Sequence, residues 1–158
     1  MIEAGYADLE KLERSTWEER TEVLTKGGYT HYREKTATQM GNLAELVRSK
    51  YDGDLNNLLK EAKDAKSGQV QHKVRKRVKV VKGLGEVAVD VFCDTVQGLW
   101  KDVAPFVDPR SMKTAAAIGL SGDVGELYKS VGRDPMQMAR LAAALTTVRL
   151  EGEEGEFK

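Results

Sequence analysis

The sequence predicts an all-α fold, and three of its features support this prediction. Apolar residues recur at three- and four-residue steps along most of the chain, two Asp-Pro pairs mark helix starts, and glycines follow several predicted helices. The chain has 158 residues, which is enough for one hydrophobic core. We therefore expect one compact multi-helix domain with eight or nine helices over residues 1–150. The acidic, glycine-broken tail at 151–158 is predicted to be disordered.

The first predicted helices are short and have local end signals. Residues 7–14 show a brief helical pattern with two leucines facing inward. Ser15 then has the features of an N-cap, with Glu18 three residues later as its capping-box partner. The second helix should end near Lys26, because Gly27 and the glycine after it permit the left-handed backbone that follows many helices.

A longer helix is predicted over residues 32–51, followed by an Asp-Gly-Asp turn at 52–54. Another amphipathic helix is predicted over 55–65, and a third over 69–81, although valines near its end weaken the helical pattern. The helix at 32–51 has one apolar stripe, formed by Ala37, Met40, Ala44, Val47 and Tyr51.

The second half of the chain continues the helical pattern. Residues 86–100 combine helical spacing with some strand-like alternation, and their length favours a helix. Asp108 and Asp134 each precede a proline, which predicts an N-cap followed by proline at the first helical position. A short helix is predicted over 123–131, and the last helix should reach Leu150.

Composition limits the kinds of site that the chain can form. The 25 basic and 25 acidic residues cancel, so total charge predicts no partner. Cys93 is the single cysteine, so the chain forms no intrachain disulfide and no cysteine cluster for a metal, and we expect a buried, inert thiol. Without a signal sequence or a membrane-spanning stretch, the predicted location is cytoplasmic or nuclear, with no membrane partner.

The segment Lys82-Gly-Leu-Gly-Glu-Val87 carries the main functional hypothesis. A helix is predicted to end before it, Gly83 and Gly85 permit a sharp turn, and a new helix starts at once. The unpaired amides at a helix start, together with the helix dipole, form an anion site. We therefore predict that the amides from Gly85 to Val87 bind a phosphate. The simpler alternative is a tight turn with no ligand.

A basic run lies directly upstream of this turn. No acidic residue stands between Asp64 and Glu86. Such a run can bind the DNA backbone without reading sequence, or it can simply be a solvated face. Its members are Lys66, Lys73, Arg75, Lys76, Arg77, Lys79 and Lys82.

These residues resemble a known family. The segment 82–92 is similar to the helix–hairpin–helix signature of the endonuclease III-like base-excision DNA glycosylases, in which a Pro-Gly-(Val/Ile)-Gly turn opens a helix. Residues 27–29 and the helix leading to 51–55 resemble the Gly-(Leu/Phe)-Tyr helix of that family and its closing turn. Residues 105–110 fall where the family has its Val-Asp-Thr-His stretch. The resemblance runs from about Trp17 to Arg110, and less clearly to Leu150.

The resemblance implies a glycosylase-like helical fold that holds double-stranded DNA by the hairpin amides, often with a monovalent cation on the hairpin carbonyls. It implies that Asp108 assists base excision, although an aspartate before proline at a helix start is also explained by capping. Val87 stands where lyase-active members carry a lysine, so we expect no lyase activity through this position. The iron–sulfur loop of many members is missing, and no cofactor is expected.

The helices that precede this region in the family are absent here, so the resemblance implies a shortened fold that a homodimer could complete. Three hypotheses for the function follow. The first is a DNA-binding protein with absent or residual catalysis. The second is a monofunctional glycosylase that uses Asp108, and the third is a self-association or protein-interaction module. The predicted DNA-binding residues are Arg75, Arg77, Lys79, Lys82, Gly83, Leu84, Gly85, Glu86 and Val87.

Overall fold

The computed structural model describes residues 1–63 and 69–157. Over these residues the chain forms nine α-helices and two short 3-10 helices and contains no strand, which confirms the all-α prediction. The chain divides into two compact units. Unit 1 contains Met1–Glu61 and Val80–Gly83, and unit 2 contains the described residues of Ala62–Lys79 and Leu84–Lys158. The specific glycosylase-like fold stays a prediction.

Four helices occur in the first 63 residues, and their order follows the predicted order. The α3 helix begins one residue after the predicted start and ends where the sequence predicts it, at Tyr51. Asp52 adopts a left-handed backbone there with φ 50°, at the start of the predicted turn. The helices are α1 (Leu9–Arg14), α2 (Trp17–Lys26), α3 (Arg33–Tyr51) and α4 (Asn56–Lys63).

The core of unit 1 forms between α1, α2 and α3. The predicted apolar stripe of α3 is buried at all five of its positions. Arg20 links the three helices, because its Nε donates to the carbonyl of Ala37 at 2.9 Å and its Nη1 to the carbonyl of Ser15 at 2.8 Å. A Cβ at Gly41 would lie 2.9 Å from the Nη2 of Arg20, so a glycine here leaves room for the guanidinium beside α3.

The N-cap of α2 differs from the predicted one by a single residue. The cap is Thr16, whose Oγ1 accepts from the amide of Glu19 at 3.1 Å, while the Thr16 amide donates to Glu19 Oε2 at 2.7 Å. The prediction of Ser15 and Glu18 is therefore wrong. Ser15 instead ends α1, where its Oγ donates to the carbonyl of Leu12 at 2.6 Å. Both pairs have the capping-box spacing, so the sequence pattern alone does not separate them.

Five α-helices form most of unit 2. The predicted starts of the last three are confirmed, because an aspartate caps each of them: Asp108, Asp123 and Asp134. The region predicted as a tail contains a 3-10 helix at Glu153–Phe157. The α-helices are α5 (Val70–Val78), α6 (Glu86–Val96), α7 (Pro109–Ala117), α8 (Val124–Ser130) and α9 (Pro135–Glu151), and a second 3-10 helix covers Lys101–Val103.

Unit 2 has a core in which α7, α8 and α9 pack together, and α6 adds further buried residues. Trp100 is buried and meets Phe92 edge-to-face, with ring centroids 5.6 Å apart, as expected for a core aromatic. Trp17 of unit 1, by contrast, is exposed. Cys93 is fully buried, which confirms the predicted burial of its thiol, and burial raises the pKa of this thiol to about 11. The core cluster contains Val107, Ala115, Leu127, Met138, Ala142 and Leu145.

In the part of the chain that the structure describes, no helix is both long enough and apolar enough to cross a membrane.

Candidate nucleic-acid interface

The predicted turn lies between two helices, as expected. The α5 helix ends at Val78, and α6 begins at Glu86. Gly83 has φ +94°, a left-handed conformation that favours glycine. Gly85 has an extended backbone with φ −83° and ψ 179°, which any residue adopts, and a Cβ on it would meet no atom within 4 Å. The first glycine is therefore needed for the turn, and the second leaves open space beside the start of α6.

The first turn of α6 differs from the starts of the three helices that follow it. Gly85 is its N-cap and provides no side-chain acceptor, whereas aspartates cap α7, α8 and α9. Gly85, Glu86 and Val87 are all exposed. The first turn of α6 is therefore exposed and has no capping side chain, as the sequence predicts for an anion site.

Two of the predicted basic residues, Arg75 and Lys79, are bound by acidic side chains of α6. Arg75 forms a close ion pair with Asp90 through Nη1, and its Nη2 lies 3.5 Å from Glu86 Oε2. Its guanidinium also lies 5.2 Å from the centre of the Phe106 ring. Lys79 forms a close ion pair with Glu86, and this hydrogen bond lowers the pKa of Glu86. The charges of Arg75 and Lys79 are thus largely balanced within unit 2.

The other predicted binding residues differ in exposure. Lys82 is exposed, Leu84 and Arg77 are half-buried, and Gly83 is exposed. Lys66, which belongs to the predicted basic run, lies outside the described residues. Val87, which the resemblance places at the position of the lyase lysine, is exposed on the surface of α6.

Asp108, the predicted catalytic residue, is 1% exposed and caps α7. Its Oδ1 accepts from the amide and the Nε of Arg110, at 2.9 and 3.1 Å, and its Oδ2 accepts from the amide of Ser111 at 3.3 Å. Burial alone would raise the pKa of Asp108, but the hydrogen bonds from Ser111 and Arg110 outweigh burial and lower it. Both carboxylate oxygens therefore have structural partners.

Asp94 is a buried carboxyl that the sequence analysis did not single out. Its Oδ1 accepts from the amide of Asp108 at 3.0 Å, while its Oδ2 is buried without a hydrogen-bond partner among the described residues. Burial, followed by the nearby charge of Asp108, raises the pKa of Asp94 to about 7. A sequence signal existed, because Asp90 and Asp94 are four residues apart on a mostly apolar helix and so share one face.

Gln97 fixes the segment before α7 against α6. Its Oε1 accepts from the amide of Phe106 at 2.9 Å, and its Nε2 donates to the Phe106 carbonyl at 2.8 Å. Gln71 of α5 holds the same segment, since its Nε2 donates to the carbonyls of Val103 and Pro105 at 2.9 and 3.1 Å. These bonds and the Asp94 contact place Asp108 at a fixed position beside α6.

No group of three or more His, Cys, Asp or Glu side chains suited to a metal ion occurs among residues 1–63 and 69–157. The monovalent cation that the resemblance implies at the hairpin carbonyls stays a prediction.

Comparisons with known proteins found no matching family model, no matching curated protein and no matching solved structure. The resemblance to the endonuclease III-like glycosylases therefore stays a prediction that depends on the sequence segments described above.

Proposed function

We propose that this protein binds the phosphate backbone of double-stranded DNA through the start of α6. The observation that carries the proposal is the exposed first turn of this 11-residue helix, which begins at Gly85 without a side-chain cap. Amides at such a helix start, together with the helix dipole, favour a bound anion. Gly85 has no side chain, so a phosphate can approach the backbone closely.

One exposed cation beside this turn, Lys79, can contact a phosphate when its ion pair opens. Lys79 lies at the end of α5, and its ammonium group reaches Glu86 at the start of α6. Contacts of this kind position a protein on DNA and carry no sequence information. The proposed activity is therefore sequence-independent binding, and no base-reading group is assigned.

The proposal includes no catalytic step. Asp108 is buried, and its two oxygens already cap α7 and bind Arg110, which supports the capping role over the catalytic one. Val87 has no amine with which to attack a sugar.

The first test compares variants of two lysines that lie at different positions and each form an exposed ion pair with a glutamate. Lys79 and Lys129 are both exposed and both pair with a glutamate, Glu86 and Glu126 respectively. We expect Lys79→Glu to weaken binding to a fluorescein-labelled duplex of about 20 base pairs by roughly tenfold at low salt, since it replaces a phosphate-binding cation by an anion. Lys129→Glu should change the affinity less than about threefold. Fluorescence anisotropy measures both.

A second comparison tests the amides themselves. Glu86 is the first residue of α6, a position at which proline fits because its missing N–H would have no helical partner. The chain already has proline at this position in α7 and α9, at Pro109 and Pro135. We expect Glu86→Pro, which removes one amide donor, to bind duplex more weakly than Glu86→Gln, which keeps it. Equal duplex affinities of the two Glu86 variants would contradict the proposal. So would a duplex anisotropy that does not change when protein is added at any salt concentration, and this result would favour a protein-interaction role.

A further inference from the structure

We propose that Glu86 competes with DNA for the start of α6, so that duplex binding requires the ion pair between Glu86 and Lys79 to open. This inference rests on the proposed function, and it adds a regulatory contact to the same site. It follows from the position of one carboxylate, which belongs to the first residue of the helix whose amides would bind the phosphate.

The Glu86 side chain already makes two interactions that a bound phosphate would make. It pairs with Lys79, and it lies 3.5 Å from the Nη2 of Arg75. An acidic side chain in the first turn also interacts favourably with the positive end of the helix dipole. A phosphate that approaches Gly85 and Val87 therefore meets a negative charge and a lysine that is already paired.

The two cations differ in how easily they can change partners. The Lys79 and Glu86 side chains are 46% and 60% exposed, so water can solvate both when the pair separates. The Arg75 and Asp90 side chains are only 26% and 11% exposed, and separating them would leave a buried charge unpaired. We infer that Lys79 exchanges Glu86 for phosphate, while Arg75 keeps Asp90 and acts as a fixed support for α6.

The expected size of the effect is modest. Exposed ion pairs contribute little free energy, so competition by Glu86 should reduce affinity by a small factor and should not abolish binding. Removing the carboxylate frees Lys79 and also removes the repulsion of the incoming phosphate, and both effects should increase the affinity for duplex. We expect Glu86→Gln to bind duplex about three- to tenfold more tightly than the wild type at low salt.

Glu126→Gln is the matched control. Glu126 pairs with Lys129 at 2.7 Å, and the two side chains are 58% and 55% exposed, so this substitution makes the same change in net charge at an equivalent surface pair. If total charge alone mattered, the two glutamine variants would bind duplex equally. We expect the affinity of Glu126→Gln to stay within about twofold of the wild type. Circular dichroism melting curves should show that both variants fold.

A second measurement probes the site without DNA. Inorganic phosphate is titrated into ¹⁵N-labelled protein while the amide shifts of the first turn of α6, from Gly85 to Val87, are followed. We expect larger, saturable shifts in Glu86→Gln than in the wild type or in Glu126→Gln.

The outcomes separate this inference from the proposed function. If all three proteins bind duplex with equal affinity and show equal phosphate shifts, the competition by Glu86 is wrong and the proposed function stands. If Glu86→Gln alone takes up phosphate but no protein binds duplex, Glu86 does occupy an anion site and the proposed function is wrong. If neither duplex nor phosphate binds to any of them, both are wrong.

Discussion

At the scale of single residues, the buried carboxyls of α6 have distinct roles that depend on their partners. Asp90 pairs with Arg75, so its charge is compensated. Asp94 has one oxygen on the amide of Asp108 and the other without a partner among the described residues, so ionisation is costly. Asp108 itself is stabilised as a carboxylate by α7. Just below pH 7 the Asp94 carboxyl therefore holds its proton, whereas the hydrogen bonds from α7 favour the carboxylate form of Asp108.

The raised pKa of Asp94 predicts a pH-dependent stability. Its folded-state pKa is about 7 and its ordinary value is 3.8, so the folded chain holds a proton between these limits that the unfolded chain has lost. The free energy of unfolding therefore falls as pH rises from about 4 to about 7, by at most about 1.4 kcal/mol per pH unit from this group. Well above pH 7 the contribution of Asp94 should no longer change.

Asp94→Asn tests this prediction, because the asparagine keeps an oxygen for the amide of Asp108 but does not titrate. We expect the wild type to lose about 2 kcal/mol relative to the variant between about pH 5.5 and pH 7.5. Urea unfolding, followed by the fluorescence of the buried Trp100, measures the difference. If the free energy of unfolding had the same pH dependence in both proteins, the pKa of Asp94 would not be raised and the prediction would be wrong.

At the scale of elements, helix starts depend on short-range hydrogen bonds, and small changes of register matter. The α2 helix starts at Trp17 because Thr16 and Glu19 satisfy each other's amides. For α6, the spacing of apolar residues predicts the helix but not which face is buried. Asp90 and Asp94 face inward while Val87 and Val91 are exposed, because the inward carboxyls have partners on α5 and in the segment before α7.

The capping box of α2 gives an element-scale prediction. We expect Thr16→Ala to destabilise α2 by about 1 kcal/mol, since the amide of Glu19 loses its acceptor. This corresponds to roughly fivefold faster amide hydrogen exchange in the first turns of α2. Among neighbouring glutamates, Glu19→Ala should also weaken protection, because it removes the reciprocal bond to the Thr16 amide. Glu18→Ala should have little effect. If Glu18→Ala lost more protection against hydrogen exchange than Glu19→Ala, the result would favour the Ser15–Glu18 capping pair predicted from the sequence.

At the scale of the whole molecule, net charge gives no attraction to DNA, because the 25 basic and 25 acidic residues cancel. Any affinity for a duplex must arise from local charge and from amides. Within unit 2, Glu86 and Asp90 offset part of the local basic charge.

This charge distribution predicts a shallow salt dependence. Four cations were predicted at the interface, Arg75, Arg77, Lys79 and Lys82, and each phosphate contact contributes about −0.9 to the slope of log K against log salt. We expect a slope between about −1 and −4 for the wild-type protein, measured by anisotropy over a series of salt concentrations. A slope steeper than about −6 would mean that the duplex contacts a different and larger surface.

The sequence by itself determined that the chain is helical, the order of its helices, the aspartate caps of α7 and α9 and the turn between α5 and α6. These features depend on residues within a few positions of each other, so local patterns contain them. Only the tertiary structure decided which face of α6 is buried, that Glu86 pairs with Lys79, and that Asp94 binds the amide of Asp108. The physical reason is that burial and charge pairing bring together groups 7 to 15 positions apart on different elements, and no local periodicity encodes those contacts.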